Sequence, residues 1–316
     1  MRALICGVGG QDGAYLAELL LAKGYEVWGT SRDAQISEFR NLSTLGLSQR
    51  VTLCSMAPND FRSVLSVLAK CKPDEVYFLA GQSSVGLSFE QPVETLESIT
   101  VGTLNMLEAI RFVSTGIKLY HASSSECFGD VGMSAANEST SFAPRSPYAV
   151  AKASAHWMIA NYREAYGLFA CNGILFNHES PLRPARFVTR KIVDAAVRIA
   201  KGSTEQLTLG LLDIARDWGW APDYVDAMWR MLQQEQPQDY VIATGVTTSL
   251  QSFVAAAFAH LDLDWQAHVV TDPRLYRPSD ISWSQGDPAK AREELGWQAS
   301  VTMPALVGHL VDAARQ

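Results

Sequence analysis

The sequence predicts an α/β fold in which a doubly wound parallel sheet is joined to a smaller C-terminal α/β lobe, and three observations predict it. From residue 1 to about 180, short apolar runs alternate with longer stretches of helical period, the pattern of a parallel sheet flanked by helices. At 316 residues the chain is too long for one minimal domain and suits a large domain with a smaller one appended. Past residue 177 the alternation becomes irregular, and Arg, Pro and Trp gather in what read as loops. The expected division is therefore 1–178 and 179–316. No internal repeat of 20–50 residues and no low-complexity linker separates the two, so the lobes are expected to interleave.

Taken in order, strands are expected at 3–6, 26–30, 51–55, 75–79, 118–123 and 169–175. Helices fill the gaps. The clearest are 14–23, 61–71, 95–112 and 148–166, each with apolar residues recurring three or four apart.

Hydrophobic residues make up 47% and charged residues 19%, which supports a packed core and excludes a disordered chain. The formal net charge is -7, and no run of like charges offers a basic face, so neither nucleic acid nor an anionic membrane is an expected partner. Any phosphate must be held by local groups. Cys6, Cys54, Cys71, Cys127 and Cys171 are odd in number and lack CxxC spacing, so they read as buried thiols in a reducing compartment, and no metal site is expected. Residues 1–8 open directly in a strand pattern without the features of a signal peptide, and no apolar run approaches a membrane span. A soluble cytoplasmic protein is expected.

Gly7-Val8-Gly9-Gly10-Gln11-Asp12-Gly13 follows the first strand and opens the first helix. Glycines at 7, 10 and 13 let a pyrophosphate approach the backbone at the N-terminus of that helix, as in a Rossmann-type dinucleotide site. A glycine-rich turn with no ligand is the plainer alternative. At the end of the second strand an acid favours NAD and an Arg accommodates the 2'-phosphate of NADP. Here Gly29-Thr30-Ser31-Arg32-Asp33 offers both, with Arg32 pointing to NADP and NAD left open; Arg32 also reads as an ordinary loop cation.

Tyr148 and Lys152 lie four apart on one face of the helix after the fifth strand. An ammonium near a phenol stabilises the phenolate, which can take a hydroxyl proton while hydride leaves the same carbon. YxxxK is common by chance, but Ser123-Ser124-Ser125-Glu126 ends the preceding strand, at the carboxyl edge where ligands of such sheets bind. Glu126 narrows the reaction. Once a sugar carries a 4-keto group its C5 proton becomes acidic, so a carboxylate can remove it and then protonate the departing C6 hydroxyl. Strand capping or an ion pair with Arg is the alternative reading of Glu126.

Longer blocks carry a family resemblance: Gly10-Gln11-Asp12-Gly13, Ala122-Ser-Ser-Ser-Glu126, Pro144-Arg-Ser-Pro-Tyr148, Asn161-Tyr-Arg-Glu-Ala-Tyr166, Gly173-Ile-Leu-Phe-Asn-His-Glu-Ser-Pro181, Phe187-Val-Thr-Arg-Lys191, Arg216-Asp-Trp-Gly219 and Asp223-Tyr-Val-Asp-Ala-Met-Trp229. Along nearly its whole length the chain resembles the extended short-chain dehydrogenase/reductases, and within them the GDP-mannose 4,6-dehydratase family. The resemblance implies that Ser124 stands at the position of a catalytic threonine, with Glu126 as the C5 base, Tyr148 as the redox base and Lys152 as its helper. It implies that Leu79, Gln82, Ser83, His178 and Arg183 lie along the nicotinamide cofactor. It also implies that Ser84, Asn177, Val188, Lys191, Arg216 and Arg277 surround a GDP-sugar substrate; surface ion pairing is the alternative for Lys191 and Arg216.

Departures from the family pattern gather at the cofactor end. Asp33-Ala34 stands where the family has an Arg-Arg pair used for the NADP phosphate and for tetramer packing. Ser55-Met56, Gly9, Ala215 and Pro184-Ala185-Arg186 also differ from the family pattern. The resemblance implies a homodimer through helices 95–112 and 148–166, with a tetramer left open. Two other functions stay open at this point. One is a related reductase, epimerase or dehydratase of another GDP-sugar; the other is a non-catalytic protein that only binds the sugar nucleotide.

Overall fold

The computed structural model describes residues 1–316. Its strands are β1 (Arg2–Cys6), β2 (Glu26–Ser31), β3 (Thr52–Ser55), β4 (Glu75–Phe78), β5 (Lys118–Ser124), β6 (Ala170–Leu175), β7 (Asn177–Glu179), β8 (Leu207–Leu209), β9 (Ala215–Trp220), β10 (Tyr240–Ile242), β11 (Thr247–Ser249) and β12 (Val269–Thr271). The helices of the first half are α1 (Gln11–Ala22), α2 (Arg40–Thr44), α3 (Phe61–Cys71), α4 (Val85–Glu90), α5 (Pro92–Leu96), α6 (Gly102–Val113) and α7 (Pro147–Tyr166). Those of the second half are α8 (Val188–Ala200), α9 (Ala221–Leu232), α10 (Leu250–Ala259), α11 (Ala289–Leu295) and α12 (Ala305–Arg315).

Seven strands form one sheet in the order β10-β6-β5-β4-β1-β2-β3. Every pairing in it is parallel. Strand order reverses between β1 and β4, which opens a crevice at their carboxyl ends where ligands of such sheets bind. This is the doubly wound sheet expected from the sequence.

Both faces are covered. On one, Ala14, Leu16 and Leu20 of α1 pack with Val225, Met228 and Leu232 of α9; on the other, Val64 and Leu68 of α3 pack with Met106 and Ile110 of α6. The second half of the chain thus returns to the first sheet through β10 and α9. A separate core joins Ile192, Val193 and Ala196 of α8 to Phe253 and Phe258 of α10 and Leu306 and Leu310 of α12. The small sheet β11-β9-β7 connects this lobe to the end of β6, and the pair β12-β8 adds Leu207, Leu209 and Val269 to the second core. None of the helices is long and apolar enough to cross a membrane.

Several expected boundaries shift, each for a physical reason. The first helix begins at Gln11 rather than 14 because Gly13 belongs to its first turn. A Cβ at Gly13 would lie 2.5 Å from the Gly7 carbonyl oxygen, so the helix enters against the turn and only glycine fits. The helix expected at 95–112 starts at Pro92, where a missing N–H costs nothing, and passes through a π-type turn at Glu97–Val101 before α6. Helix α7 starts one residue early, capped by the Ser146 hydroxyl accepting from the Ala149 N–H at 3.1 Å, and ends at Gly167 with φ 66°. The region past 177 is more regular than its composition suggests. Trp218 lies in the core on β9, and Pro222 sits in the first turn of α9, so residues that read as loop formers are structural there.

Candidate active site

A cleft of about 440 Å³ crosses the carboxyl ends of β4, β5 and β6 and is closed on its far side by β9 and the segment 275–280. Asp12, Leu79, Ser83, Ser84, Ser124, Glu126, Tyr148, Lys152, Asn177, His178, Arg183, Val188, Lys191, Arg216 and Arg277 all line it. The residues singled out in the sequence are therefore largely assembled in one place, from segments up to 265 residues apart in the chain (Asp12 to Arg277).

The cofactor end begins at the glycine turn. Gly7 has φ +88°, and Gly10 caps α1 without any side-chain partner, so the first N–H groups of that helix have no acceptor from their own turn. These features fit a dinucleotide pyrophosphate. Gln11 is buried and its side chain is engaged elsewhere, donating to the His178 carbonyl at 3.0 Å and accepting from the Ser180 hydroxyl at 2.8 Å. The His178 ring stands between two acceptors, the Asp12 carboxylate at 3.0 Å and the Phe176 carbonyl at 2.7 Å. Burial pushes His178 toward neutrality, but Asp12 outweighs it and the net shift is upward. Asp12 is shifted down: burial raises it, and the His178 charge and hydrogen bond more than offset this. The second carboxylate oxygen of Asp12 is buried beside Gln11.

Six expected cofactor residues do not line this cleft: Gly7, Gly10, Gln11 and Gly13 of the glycine turn, and Gln82 and Arg32. Gln82 braces the loop before α4, donating to the Ser84 carbonyl at 2.8 Å and to Thr95 at 3.2 Å. Arg32 is 81% exposed and pairs at 3.0 Å with Glu94 on α5. Its neighbour Asp33 is folded onto its own turn, accepting from the Gln35 N–H at 2.9 Å. Gly9 faces Phe39, whose Cδ1 would lie in ordinary van der Waals contact, 3.6 Å from an added Cβ.

At the centre, Ser124 ends β5 and its hydroxyl accepts from the Glu126 N–H at 3.3 Å. Burial raises Glu126 above its ordinary value, opposed by the positive charges of Arg216 and Arg277 and reinforced by Asp280. Burial also pushes Tyr148 up, while Ser124 and the charge of Arg183 pull the other way. Lys152 is pushed down to about 8 by burial. Its Nζ donates to the Ala122 carbonyl at 2.6 Å and lies 5.9 Å from the Tyr148 ring centroid.

The far end is cationic. Arg216 is 5% exposed and donates to the carbonyls of Ala215 (3.0 Å) and Ile281 (2.7 Å) and to the Asp280 carboxylate at 2.9 Å. Arg277 reaches the same carboxylate at 3.5 Å. Lys191 donates to the Thr208 carbonyl at 2.7 Å. Two guanidinium groups over one shared carboxylate make a seat for a more highly charged anion such as a diphosphate. Sequence reasoning passed over Asp280, whose signal was its position three residues after Arg277. It also passed over the apolar wall of Leu209, Leu211, Leu275 and Tyr276, which carries no motif.

A family model described as GDP-mannose 4,6 dehydratase matches residues 4–310. The chain belongs to that family. A GDP-mannose 4,6 dehydratase of Arabidopsis thaliana is 46% identical, covering 98% of this chain and 86% of the relative. One from Vibrio cholerae is 43% identical, covering 98% of this chain and 92% of the relative. Among solved structures, the UDP-glucose 4-epimerase of Thermus thermophilus in complex with NAD superposes with a TM-score of 0.87 at 26% identity, covering 100% of this chain and 99% of that one. A dTDP-glucose 4,6-dehydratase of Streptomyces venezuelae, with TM-score 0.87 and 22% identity over 100% of this chain and 97% of that one, shares the fold. Members of the GDP-mannose 4,6-dehydratase family thus align with this chain from the glycine turn through α12.

Proposed function

We propose that the chain is a GDP-mannose 4,6-dehydratase, converting GDP-mannose to GDP-4-keto-6-deoxymannose and water with a tightly held nicotinamide dinucleotide. The observation that carries the reading is Glu126, a half-buried carboxylate in the same cleft as Ser124, Tyr148 and Lys152 and within the field of two arginines. Oxidation and reduction alone require no carboxylate at that position. Elimination does.

In this reading Ser124 hydrogen-bonds the sugar O4 and Tyr148 takes its proton, while the charge of Lys152 offsets the cost of a buried phenolate. A bound nicotinamide would supply the hydride acceptor for C4 and the hydride donor for C6. Glu126 removes the C5 proton, made acidic by the new ketone, and passes it to the C6 hydroxyl, which leaves as water. The proton taken from O4 returns to C5. Every group ends as it began, so no external reductant is consumed. Arg216 and Arg277 hold the diphosphate, and Val188, Lys191, Asn177 and Ser84 line the rest of the nucleotide sugar's path. Leu79, Ser83, His178 and Arg183 would flank a bound dinucleotide, and Gly7, Gly10 and Gly13 would hold its pyrophosphate.

Of the two dinucleotides we assign NADP, with Arg32 leaving the exposed carboxylate of Glu94 to meet the 2'-phosphate. Ion pairs as exposed as this one contribute about 0–1 kcal/mol, a small barrier to that exchange. We assign residues 1–178 to the dinucleotide lobe and 179–316 mainly to the nucleotide-sugar lobe. We also assign a homodimer, because Val150 (47% exposed) and Trp157 (61%), seven residues apart and so on one side of α7, are apolar and uncovered. Purified protein incubated with GDP-mannose and no reductant is expected to form a 4-keto product, read by its alkaline ultraviolet absorbance. Recovery of unchanged GDP-mannose after long incubation with NADP supplied would refute the reading, and stoichiometric NADPH consumption would point to a reductase instead.

A further inference from the structure

Behind the cleft lies a set of buried polar side chains that the proposed chemistry does not use. Tyr148, Lys152 and His156 follow one another at four-residue steps along α7 and so share one face. Lys152 donates to the Ala122 carbonyl at 2.6 Å, and His156 Nδ1 meets the Ser123 hydroxyl at 3.2 Å. Successive turns of α7 therefore grip successive residues of β5 immediately before Ser124.

The His156 ring is held from its other side as well. Its Nε2 is 3.8 Å from the Asp239 carboxylate, which Arg163 binds through two bonds of 2.8 and 2.9 Å. Asn172 on β6 donates to Asp239 from its backbone N–H at 2.7 Å, donates to the His156 carbonyl at 3.2 Å, and accepts from His121 Nδ1 at 2.9 Å. Phe142 packs edge-on to the ring with centroids 4.7 Å apart. Burial holds His156 below its ordinary value against the pull of Asp239. The ring is thus bracketed by the Ser123 hydroxyl at Nδ1 and the Asp239 carboxylate on the Nε2 side.

His156, Asp239, Arg163, Asn172 and His121 do not line the cleft. A buried polar network is favourable only when each member is satisfied, and apolar side chains would fill the same volume at lower cost. What hydrogen bonds add to packing is direction, which here fixes the rotation and register of α7 on β5. We propose that His156, acting through Ser123, is a positioning residue for the redox pair, holding Tyr148 and Lys152 of α7 against the Ser124 hydroxyl of β5. The proposal rests on the roles given above to Tyr148, Lys152 and Ser124.

The test compares His156→Phe, which keeps the ring but removes both nitrogens, with Ser123→Ala, the double variant, and His156→Asn, which restores an acceptor near the Nδ1 position. Each is assayed with GDP-mannose, and GDP binding is followed by calorimetry. Misplacement of about 1 Å costs roughly a hundredfold in rate, so kcat is expected to fall roughly 10- to 100-fold in His156→Phe and in Ser123→Ala, with KM and the GDP Kd unchanged. His156→Asn should recover most of the loss, and the double variant should be no slower than the slower single. If His156→Phe does not fold, Ser123→Ala, which removes one atom, decides the matter. Folded variants with wild-type kcat would overturn the proposal, as would losses that multiply in the double variant or that appear in KM and Kd. Tyr148→Phe assayed alongside separates the two claims. Its inactivity beside an active Ser123→Ala defeats only the positioning role, whereas its full activity defeats the functional reading itself.

Discussion

Glu126→Gln keeps the shape of the side chain and removes its capacity to take a proton, so it separates the proposed base from the binding wall. A positioned general base contributes roughly 10²- to 10⁴-fold, or about 3–5 kcal/mol of barrier, and the variant should lose that much in kcat. Binding should respond in the opposite sense. In the native cleft the guanidinium groups of Arg216 and Arg277 are balanced by the carboxylates of Asp280 and Glu126. With the amide in place the wall is one positive charge richer, so affinity for a diphosphate should hold or tighten. Because oxidation at C4 precedes the step assigned to Glu126, the variant should still reduce its cofactor. Rapid mixing of the holoenzyme variant with GDP-mannose should give up to one equivalent of absorbance at about 340 nm, while no 6-deoxy product accumulates. A product-forming rate within tenfold of the wild type would refute the reasoning. So would a rise in KM with kcat unchanged, because that pattern belongs to a binding residue.

The remaining predictions concern the groups around that centre. His178 is raised by its pairing with Asp12, so its share of stability is present below its unfolded value of 6.5 and fades as pH rises through the folded one; Asp12 is lowered, so its share is present above 3.8 and fades as pH falls through its folded value. Thermal melts should therefore show the pair contributing fully only between those limits. Asp12→Asn should cost about 3–5 kcal/mol there, and an unchanged melt would contradict the pairing. Arg32→Ala should weaken NADP binding roughly 10- to 100-fold and leave NAD binding unchanged, measured by calorimetry on protein stripped of cofactor; equal effects on both would remove Arg32 from the 2'-phosphate. Trp157→Glu, at a position 61% exposed in the isolated chain, should convert a dimer to a monomer in sedimentation, whereas an unaltered mass would place the interface elsewhere.

Much of this was legible before any coordinates. The sheet and its flanking helices were readable because buried parallel strands are nearly continuous apolar runs and α7 keeps a helical period from Tyr148 to Tyr166. Gly7 and Gly13 marked the turn because a side chain at either is excluded, by a φ of +88° at Gly7 and by backbone 2.5 Å from an added Cβ at Gly13. What the pattern could not show was direction and long-range company. Gln11 and Gln82 sit beside the cofactor end, yet their side chains are hydrogen-bonded inward, a matter of rotamer rather than of position. Arg216 and Arg277 share Asp280 only because β9 and the segment 277–280 meet in space, and no spacing rule spans that distance. The Pro and Trp residues past 177 misled because composition does not distinguish Pro222 in a helix's first turn, or Trp218 in a core, from the same residues in a loop.

The central claim is an internal redox cycle in which hydrogen leaves C4 and returns to C6 of the same sugar. GDP-mannose deuterated at C4 tests it most directly. A 4-keto product carrying the deuterium at C6 is expected, seen by mass and NMR, with the bound cofactor unlabelled at the end of turnover. Product lacking the label, or deuterium accumulating in the dinucleotide, would contradict it.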